Sequence, residues 1–133
     1  MKKFALSWRP LAAMSALALI AACSTYGEQP MQSTRPTQPM AGNVMTNAGG
    51  MTLYTYDKDE IGKSNCDGAC AIYWPPLLSG AAAMPAGKLT LVTRDDGVKQ
   101  WATEGKPLYT FADDKNPGDI NGDGYKGIWH VVR

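Results

Sequence analysis

The chain has 133 residues and carries 13 basic and 12 acidic side chains, for a formal net charge of +1. Three of the basic residues, Lys2, Lys3 and Arg9, precede every acidic one, and without them the net charge is −2. Because the other Lys and Arg residues are scattered singly, the sequence predicts no basic face and no nucleic-acid partner. The length is typical of one domain.

Residues 1–22 are predicted to form a lipoprotein signal peptide. After the basic start comes an apolar run over 11–22, which is typical of a secretory signal and too short for a membrane span of about 20 apolar residues. The run ends in Ile-Ala-Ala followed by Cys23, which resembles the bacterial lipoprotein signal, whose cysteine is acylated and begins the mature chain. We therefore expect a lipid anchor of the palmitate type on Cys23 as the membrane contact. The alternative is an ordinary secretory signal that leaves Cys23 as a thiol.

The segment behind this cysteine is predicted to be a flexible tether, residues 23–43, rich in Gln, Pro, Ser and Thr without apolar periodicity. Its second residue is Ser24, whereas an Asp there tends to retain lipoproteins at the inner membrane. We therefore expect an outer-membrane lipoprotein that faces the periplasm. Met31, Met40 and Met45, with Met51 just beyond, are soft ligands that would suit Cu(I), but their spacing is irregular and no Cys or His lies among them.

An internal repeat organises the rest of the chain, which we interpret as a β domain over 44–133 with repeats at 44–77 and 98–132. A fixed period of this kind predicts two copies of one supersecondary unit that bury apolar faces against each other. The recurring residues, all at one offset, are Tyr54 and Tyr109, Tyr56 and Phe111, Asp59 and Asp114, and Trp74 and Trp129.

The predicted fold class is all-β and mostly antiparallel, with at most one short helical turn, at 65–72. β-branched and aromatic residues flanking Gly-rich turns predict the strands. The expected hairpins pair 44–46 with 51–56, 98–103 with 108–111, and 89–94 with 98–103, and a last strand covers 127–132. Its counterpart at 71–74 is expected to stop at Pro75 and Pro76. The two units would pack face to face or join in one sheet.

Side chains on a strand alternate between faces, which places Tyr54 and Tyr56 on one face and Leu53 on the other. Because both faces carry bulky residues, we expect the strand to lie between a core and a second layer. This core interpretation of the aromatic residues is favoured over a platform on which a ligand stacks.

Two Tyr-x-aromatic-x-x-Asp strings, beginning at Tyr54 and Tyr109, accompany the Cys66-x-x-x-Cys70 pair and the Trp74-Pro-Pro-Leu string. Together they resemble the bacterial family of predicted lipoproteins with a conserved Yx(FWY)xxD motif, also called the secreted repeat of unknown function. The similarity extends from Gly49 to the end of the chain. It implies an exported, often lipidated β domain with no assigned activity.

Cys66 and Cys70 are predicted to form a structural disulfide, because acylation of Cys23 leaves an even number of cysteines in an exported chain. On one helical turn their Cα atoms would lie about 6 Å apart, within bridging range. The alternative is a copper site, since a C-x₃-C pair with the distant His130 resembles the ligand set of the Sco-type copper chaperones. Those proteins have a βαβ fold, for which no alternation is visible here.

A second candidate metal site is calcium at Asp119, Asn121 and Asp123, whose alternate spacing resembles the front half of an EF-hand loop. Position twelve is His130 rather than Glu, so a turn rich in Asp, Asn and Gly is the favoured interpretation.

Catalytic signals are weak. The single histidine has no nucleophile partner, and serines such as Ser64 lie in no known catalytic motif. The paired carboxylates, at 57 and 59 and at 113 and 114, are interpreted as turn and strand-end residues rather than acid/base groups. We therefore expect a non-enzymatic binding or structural module without a cofactor, with a metal-handling protein as the alternative.

Overall fold

The structure, a computed structural model, describes Pro36 and residues 43–133. The signal peptide, Cys23 and all of the predicted tether except Pro36 and Asn43 lie outside the described residues, so the hypotheses about them stay predictions. Within the described part of the chain, no helix is long and apolar enough to cross a bilayer.

Short strands dominate the described residues. In chain order the elements are β1 (Tyr54–Tyr56), α1 (Gly68–Tyr73), β2 (Leu89–Thr93), β3 (Lys99–Thr103), β4 (Lys106–Pro107), a 3₁₀ turn (Tyr125–Gly127) and β5 (Trp129–Val131). β1 and β5 form one antiparallel sheet, and β2, β3 and β4 form a second in that order. The all-β, mostly antiparallel class is confirmed, and the expected helical turn forms as α1.

The predicted hairpin over 89–103 is confirmed as the β2–β3 pair. Its loop covers 95–97 and is closed by a hydrogen bond of 2.9 Å from the Arg94 amide to the Val98 carbonyl. Gly97 has φ of 81°, a left-handed conformation that glycine adopts without a Cβ clash. Glycine at position 97 therefore suits the left-handed backbone conformation that this loop requires.

The two repeats exchange their final strands. β1 belongs to the first repeat and pairs with β5 of the second, with Tyr56 opposite Trp129. The equivalent strand of the second repeat pairs with the first repeat in the same way, since Tyr109 forms a β-bridge with Pro76. At the centre Tyr54 and Tyr109 exchange both backbone hydrogen bonds, at 2.9 and 3.0 Å. An approximate two-fold axis therefore passes between these tyrosines, and the strand pairs around it join residues of different repeats.

The prediction of a strand at 71–74 that stops at the prolines is wrong. Residues 71–73 belong to the end of α1, whereas pairing runs through the prolines, where the Thr110 amide donates to the Pro75 carbonyl at 2.9 Å. Proline lacks only the backbone donor and keeps its acceptor, so it is tolerated where the neighbouring strand needs a carbonyl.

The central strands bury residues on both faces, as the alternation predicts. One cluster lies on the tyrosine face and consists of Val44, Tyr54, Cys66, Trp74, Tyr109, Phe111, Trp129 and Val131. The other lies on the leucine face and consists of Met45, Leu53, Leu77, Leu89, Trp101 and Leu108. The strands around the two-fold axis therefore separate two apolar layers.

Candidate functional site

The repeated Tyr and Asp residues meet across the two-fold axis, and each tyrosine bonds the aspartate of the other repeat. The Tyr54 hydroxyl donates to Asp114 Oδ2 at 2.7 Å, and the Tyr109 hydroxyl donates to Asp59 Oδ2 at 2.8 Å. Both tyrosines are fully buried. The motif is therefore completed only between repeats, and we name these two reciprocal pairs the Tyr–Asp clasp.

Each carboxylate of the clasp also holds the loop that follows it in its own repeat. Asp59 Oδ1 accepts a hydrogen bond from the Asn65 amide at 2.7 Å, and Asp114 Oδ1 accepts one from the Asn121 amide at 2.9 Å. Each carboxylate accepts one hydrogen bond from a strand tyrosine and one from a loop amide. Hydrogen bonds to charged acceptors contribute about 1.5–3 kcal/mol each. The clasp thus ties the loops to the strands.

Burial keeps the hydroxyl groups of the clasp tyrosines protonated. Burial, reinforced by the hydrogen bond that the hydroxyl donates to Asp114, raises the pKa of Tyr54 far above its ordinary value. Burial likewise raises the pKa of Tyr109 and that of Asp59. A phenol in this environment does not ionise near neutral pH, so neither tyrosine offers a nucleophilic phenolate.

Four aromatic rings stack in a continuous column through the tyrosine-face cluster, which we name the aromatic column. The Trp74 and Trp129 rings are parallel, with centroids 3.8 Å apart and an interplanar angle of 3°. Tyr56 stacks on the outer face of Trp129 and Phe111 on that of Trp74, each at 4.2 Å. Tyr56 is partly exposed, whereas the other three rings are buried. The core interpretation of the aromatic residues is therefore confirmed.

The clasp tyrosines contact the column edge-on. Tyr54 lies 5.4 Å from Trp74 and Tyr109 lies 5.2 Å from Trp129, measured between ring centroids, with both pairs T-shaped. Edge-to-face pairs of this kind add about 0.5–1.5 kcal/mol beyond the area that they bury. The clasp and the column therefore form one packed unit on the axis.

The two halves differ around Tyr109, where sequence reasoning missed a polar cluster. Ser64 Oγ lies 2.7 Å from the Tyr109 hydroxyl. The Arg94 guanidinium donates to Ser64 Oγ at 2.7 Å, to Gln100 Oε1 at 2.8 Å and to the Cys66 carbonyl at 2.9 Å. These residues come from separate segments and form no sequence motif, so only the fold brings them together.

A shallow pocket of about 180 Å³ opens beside this cluster and is lined by Ser64, Asp67, Arg94, Asp95 and Asp96. The Ser64 hydroxyl in it is held by an arginine and a tyrosine, neither of which is a base near neutral pH. The Ser64 hydroxyl therefore has no general base among these hydrogen-bond partners.

The predicted disulfide is present. Cys66 and Cys70 are bonded, with Cα atoms 5.3 Å apart, and Cys66 lies just before α1 whereas Cys70 lies within it. The Cys70 carbonyl accepts a hydrogen bond from the Trp74 amide at 2.8 Å, so the bridge is linked to one of the two inner rings of the aromatic column. A disulfide has no thiolate to offer copper, and His130 lies on β5 with its Nε2 2.8 Å from Asp57 Oδ2.

The calcium hypothesis concerns Asp119, Asn121 and Asp123, whose side chains have separate partners. Asp119 Oδ2 accepts the amides of residues 115 and 116, both at 2.9 Å. Asp123 accepts the Val131 amide at 3.0 Å and Arg133 at 3.2 Å. Within the described residues, no group of three or more His, Cys, Asp or Glu residues is arranged to hold a metal ion. Calcium binding stays a prediction.

The remaining members of the two carboxylate pairs are exposed. Asp57 pairs with His130, and Asp113 Oδ1 lies 4.0 Å from Lys115 Nζ. Each pair thus contains one carboxylate in the clasp and one in solvent, so the two do not share a proton between them.

A family model described as a secreted repeat of unknown function matches residues 37–78 and again 90–133. The two matches contain the two halves of the clasp, and the chain belongs to this family. Neither a curated protein nor a solved structure matches the chain.

Proposed function

We propose that this secreted-repeat protein is a lipid-anchored, non-enzymatic module of the outer membrane that faces the periplasm and binds a protein partner through two unequal loops. The observation that carries the proposal is that the side chains of the repeated Tyr-x-aromatic-x-x-Asp motif serve the scaffold. The clasp side chains Tyr54, Tyr109, Asp59 and Asp114 hydrogen-bond one another across the repeats and hold the scaffold. A reaction would need such groups to be open to a substrate.

The loops that differ between repeats are the surfaces left for recognition. Loop A covers 57–73 and includes α1, and loop B covers 113–128 and includes the 3₁₀ turn. The large apolar side chains exposed in these loops are Ile61, Ile72, Tyr73, Ile120 and Tyr125. Exposed apolar and aromatic side chains are typical of protein interfaces. A protein partner therefore fits this chemistry better than a polyanion or a metal ion.

The anchor fits the same proposal. A signal of the lipoprotein type that ends at Cys23, followed by a polar tether, would hold the domain at the bilayer while the loops stay accessible. Metabolic labelling with a palmitate analogue tests this part. We expect label on the unmodified protein and none on Cys23→Ala, and label that persists on the variant would contradict the anchor.

Site-specific photocrosslinking in intact cells tests the binding loops. A photoreactive amino acid at position 72 or 120 should yield a discrete adduct with one protein, whereas the same group at Lys88, exposed outside both loops, should not. Ile72→Asp should abolish the adduct formed from position 120 without lowering stability, since Ile72 is 70% exposed. Equal adducts from all three positions would contradict loop recognition.

A further inference from the structure

The aromatic column and Tyr125 connect two solvent-accessible rings through buried ones. The first ring of the column, Tyr56, is partly exposed. At the other end Tyr125, which is 42% exposed, lies with its centroid 5.7 Å from Trp74 and 5.8 Å from Phe111. Indoles and phenols are among the protein side chains that most readily lose one electron, and the electronic coupling for electron exchange is strongest between π systems in contact. The column provides such contacts without interruption.

Beside each indole lies a phenol whose proton has a ready acceptor. Tyr109 contacts Trp129 and donates to Asp59 at 2.8 Å, and the symmetric pair next to Trp74 has a bond of 2.7 Å. A phenol that loses an electron becomes a strong acid and releases its proton to such a carboxylate. Two independent features, the column and the clasp, therefore meet at the same residues.

We propose that the aromatic column and the Tyr–Asp clasp form a relay for one-electron oxidation, in which oxidising equivalents taken up at the surface come to rest on Tyr109 and Tyr54. A one-electron oxidant, such as a radical or a high-potential metal complex, takes an electron from an indole of the column. A clasp tyrosine returns an electron to that indole and passes its phenolic proton to the bonded aspartate. The products are the reduced oxidant, a neutral tyrosyl radical and a protonated carboxyl group.

Charge balance favours this resting place. A radical cation on Trp74 or Trp129 places a positive charge among apolar rings, where ions are poorly solvated. Transfer to a clasp tyrosine removes that charge, and the proton neutralises the carboxylate to which the tyrosine is hydrogen-bonded. A one-electron reductant reverses the step, since the electron reduces the tyrosyl radical and the aspartate returns the proton. This inference is independent of which partner the loops bind.

Flash photolysis of the full chain tests the relay, with a photoexcited ruthenium polypyridyl complex as oxidant and ruthenium hexaammine as quencher. We expect a long-lived tyrosyl absorption and a tyrosyl signal in electron paramagnetic resonance. Tyr109→Phe and Tyr54→Phe should each lower the radical yield. The control Tyr73→Phe, which removes an exposed phenol outside the column, should leave the yield unchanged.

The unmodified protein supplies a second measurement in case a clasp variant fails to fold. Because the proton moves with the electron, tyrosyl formation should slow when the protein is transferred to deuterium oxide. A tyrosyl signal that is absent, that depends on Tyr73 rather than on the clasp, or that forms without an isotope effect would overturn the relay.

Discussion

Removal of the Tyr54 hydroxyl is expected to couple energetically to Asp114 of the other repeat and not to Asp59 of its own. The Tyr54–Asp114 bond is 2.7 Å long and buried, and a hydrogen bond to a charged group contributes about 1.5–3 kcal/mol. Tyr54→Phe and Asp114→Ala should each lower the free energy of unfolding. Because the double variant loses this bond only once, its loss should be smaller than the sum of the two by about 1–3 kcal/mol.

The within-repeat pair is the matched control. Tyr54→Phe and Asp59→Ala should add to within about 0.5 kcal/mol, because Asp59 bonds Tyr109 instead. Free energies of unfolding come from urea titrations followed by tryptophan fluorescence, to which the buried indoles of the column respond. A coupling that is larger within a repeat than between repeats would refute the exchanged clasp.

Three further predictions use the same purified protein. Gly122→Ala places a Cβ 2.7 Å from an indole carbon, so overpacking should lower the free energy of unfolding by about 1–3 kcal/mol. Gly80→Ala, whose Cβ meets nothing within 4 Å, should stay within about 0.5 kcal/mol in the same urea titration. Reduction of the Cys66–Cys70 bridge opens a very short loop that the chain-entropy model values at about 2 kcal/mol. Thermal melts should then fall by roughly 8–16 °C, and an unchanged melting temperature would contradict this role. A backbone amide that donates to Asp123 lowers the pKa of its carboxyl group. Its stabilisation is therefore present above the unfolded pKa and lost as pH falls through the lower folded value. Asp123→Asn should flatten the loss of stability below about pH 4, and parallel profiles for variant and parent would count against it.

The strands and the equivalence of the repeats could be predicted because they depend on local patterns. Alternating bulky residues placed Tyr54 and Leu53 on opposite faces, and the β2–β3 hairpin follows from a turn that ends in Gly97. Strand exchange could not be predicted in this way. The alternation of β1 is satisfied equally by a partner from its own repeat or from the other one, so the choice depends on tertiary contacts that no local window contains.

The candidate site shows the same division. Tyr109 and Asp59 were found as repeat members, but their bond to each other's repeat depends on the axis. Ser64, Arg94 and Gln100 have no counterpart in the repeat pattern, and they meet only because the segment before α1 contacts the β2–β3 hairpin. A comparison of residues at one fixed offset finds only residues that occur in both repeats. It cannot find contacts that are present in one repeat alone.

That broken symmetry has a consequence for binding. Cys70 and Tyr125 occupy equivalent positions in loops A and B, and both pack against the tyrosine-face cluster. The first is fixed by a covalent bridge, whereas the second is held by ring contacts over Trp74 and Phe111. If a partner contacted only the symmetric scaffold, each chain would offer two equivalent sites and bind two partner molecules. A partner that reads these loops meets two different surfaces, and a stoichiometry of one partner per chain follows from the proposed recognition.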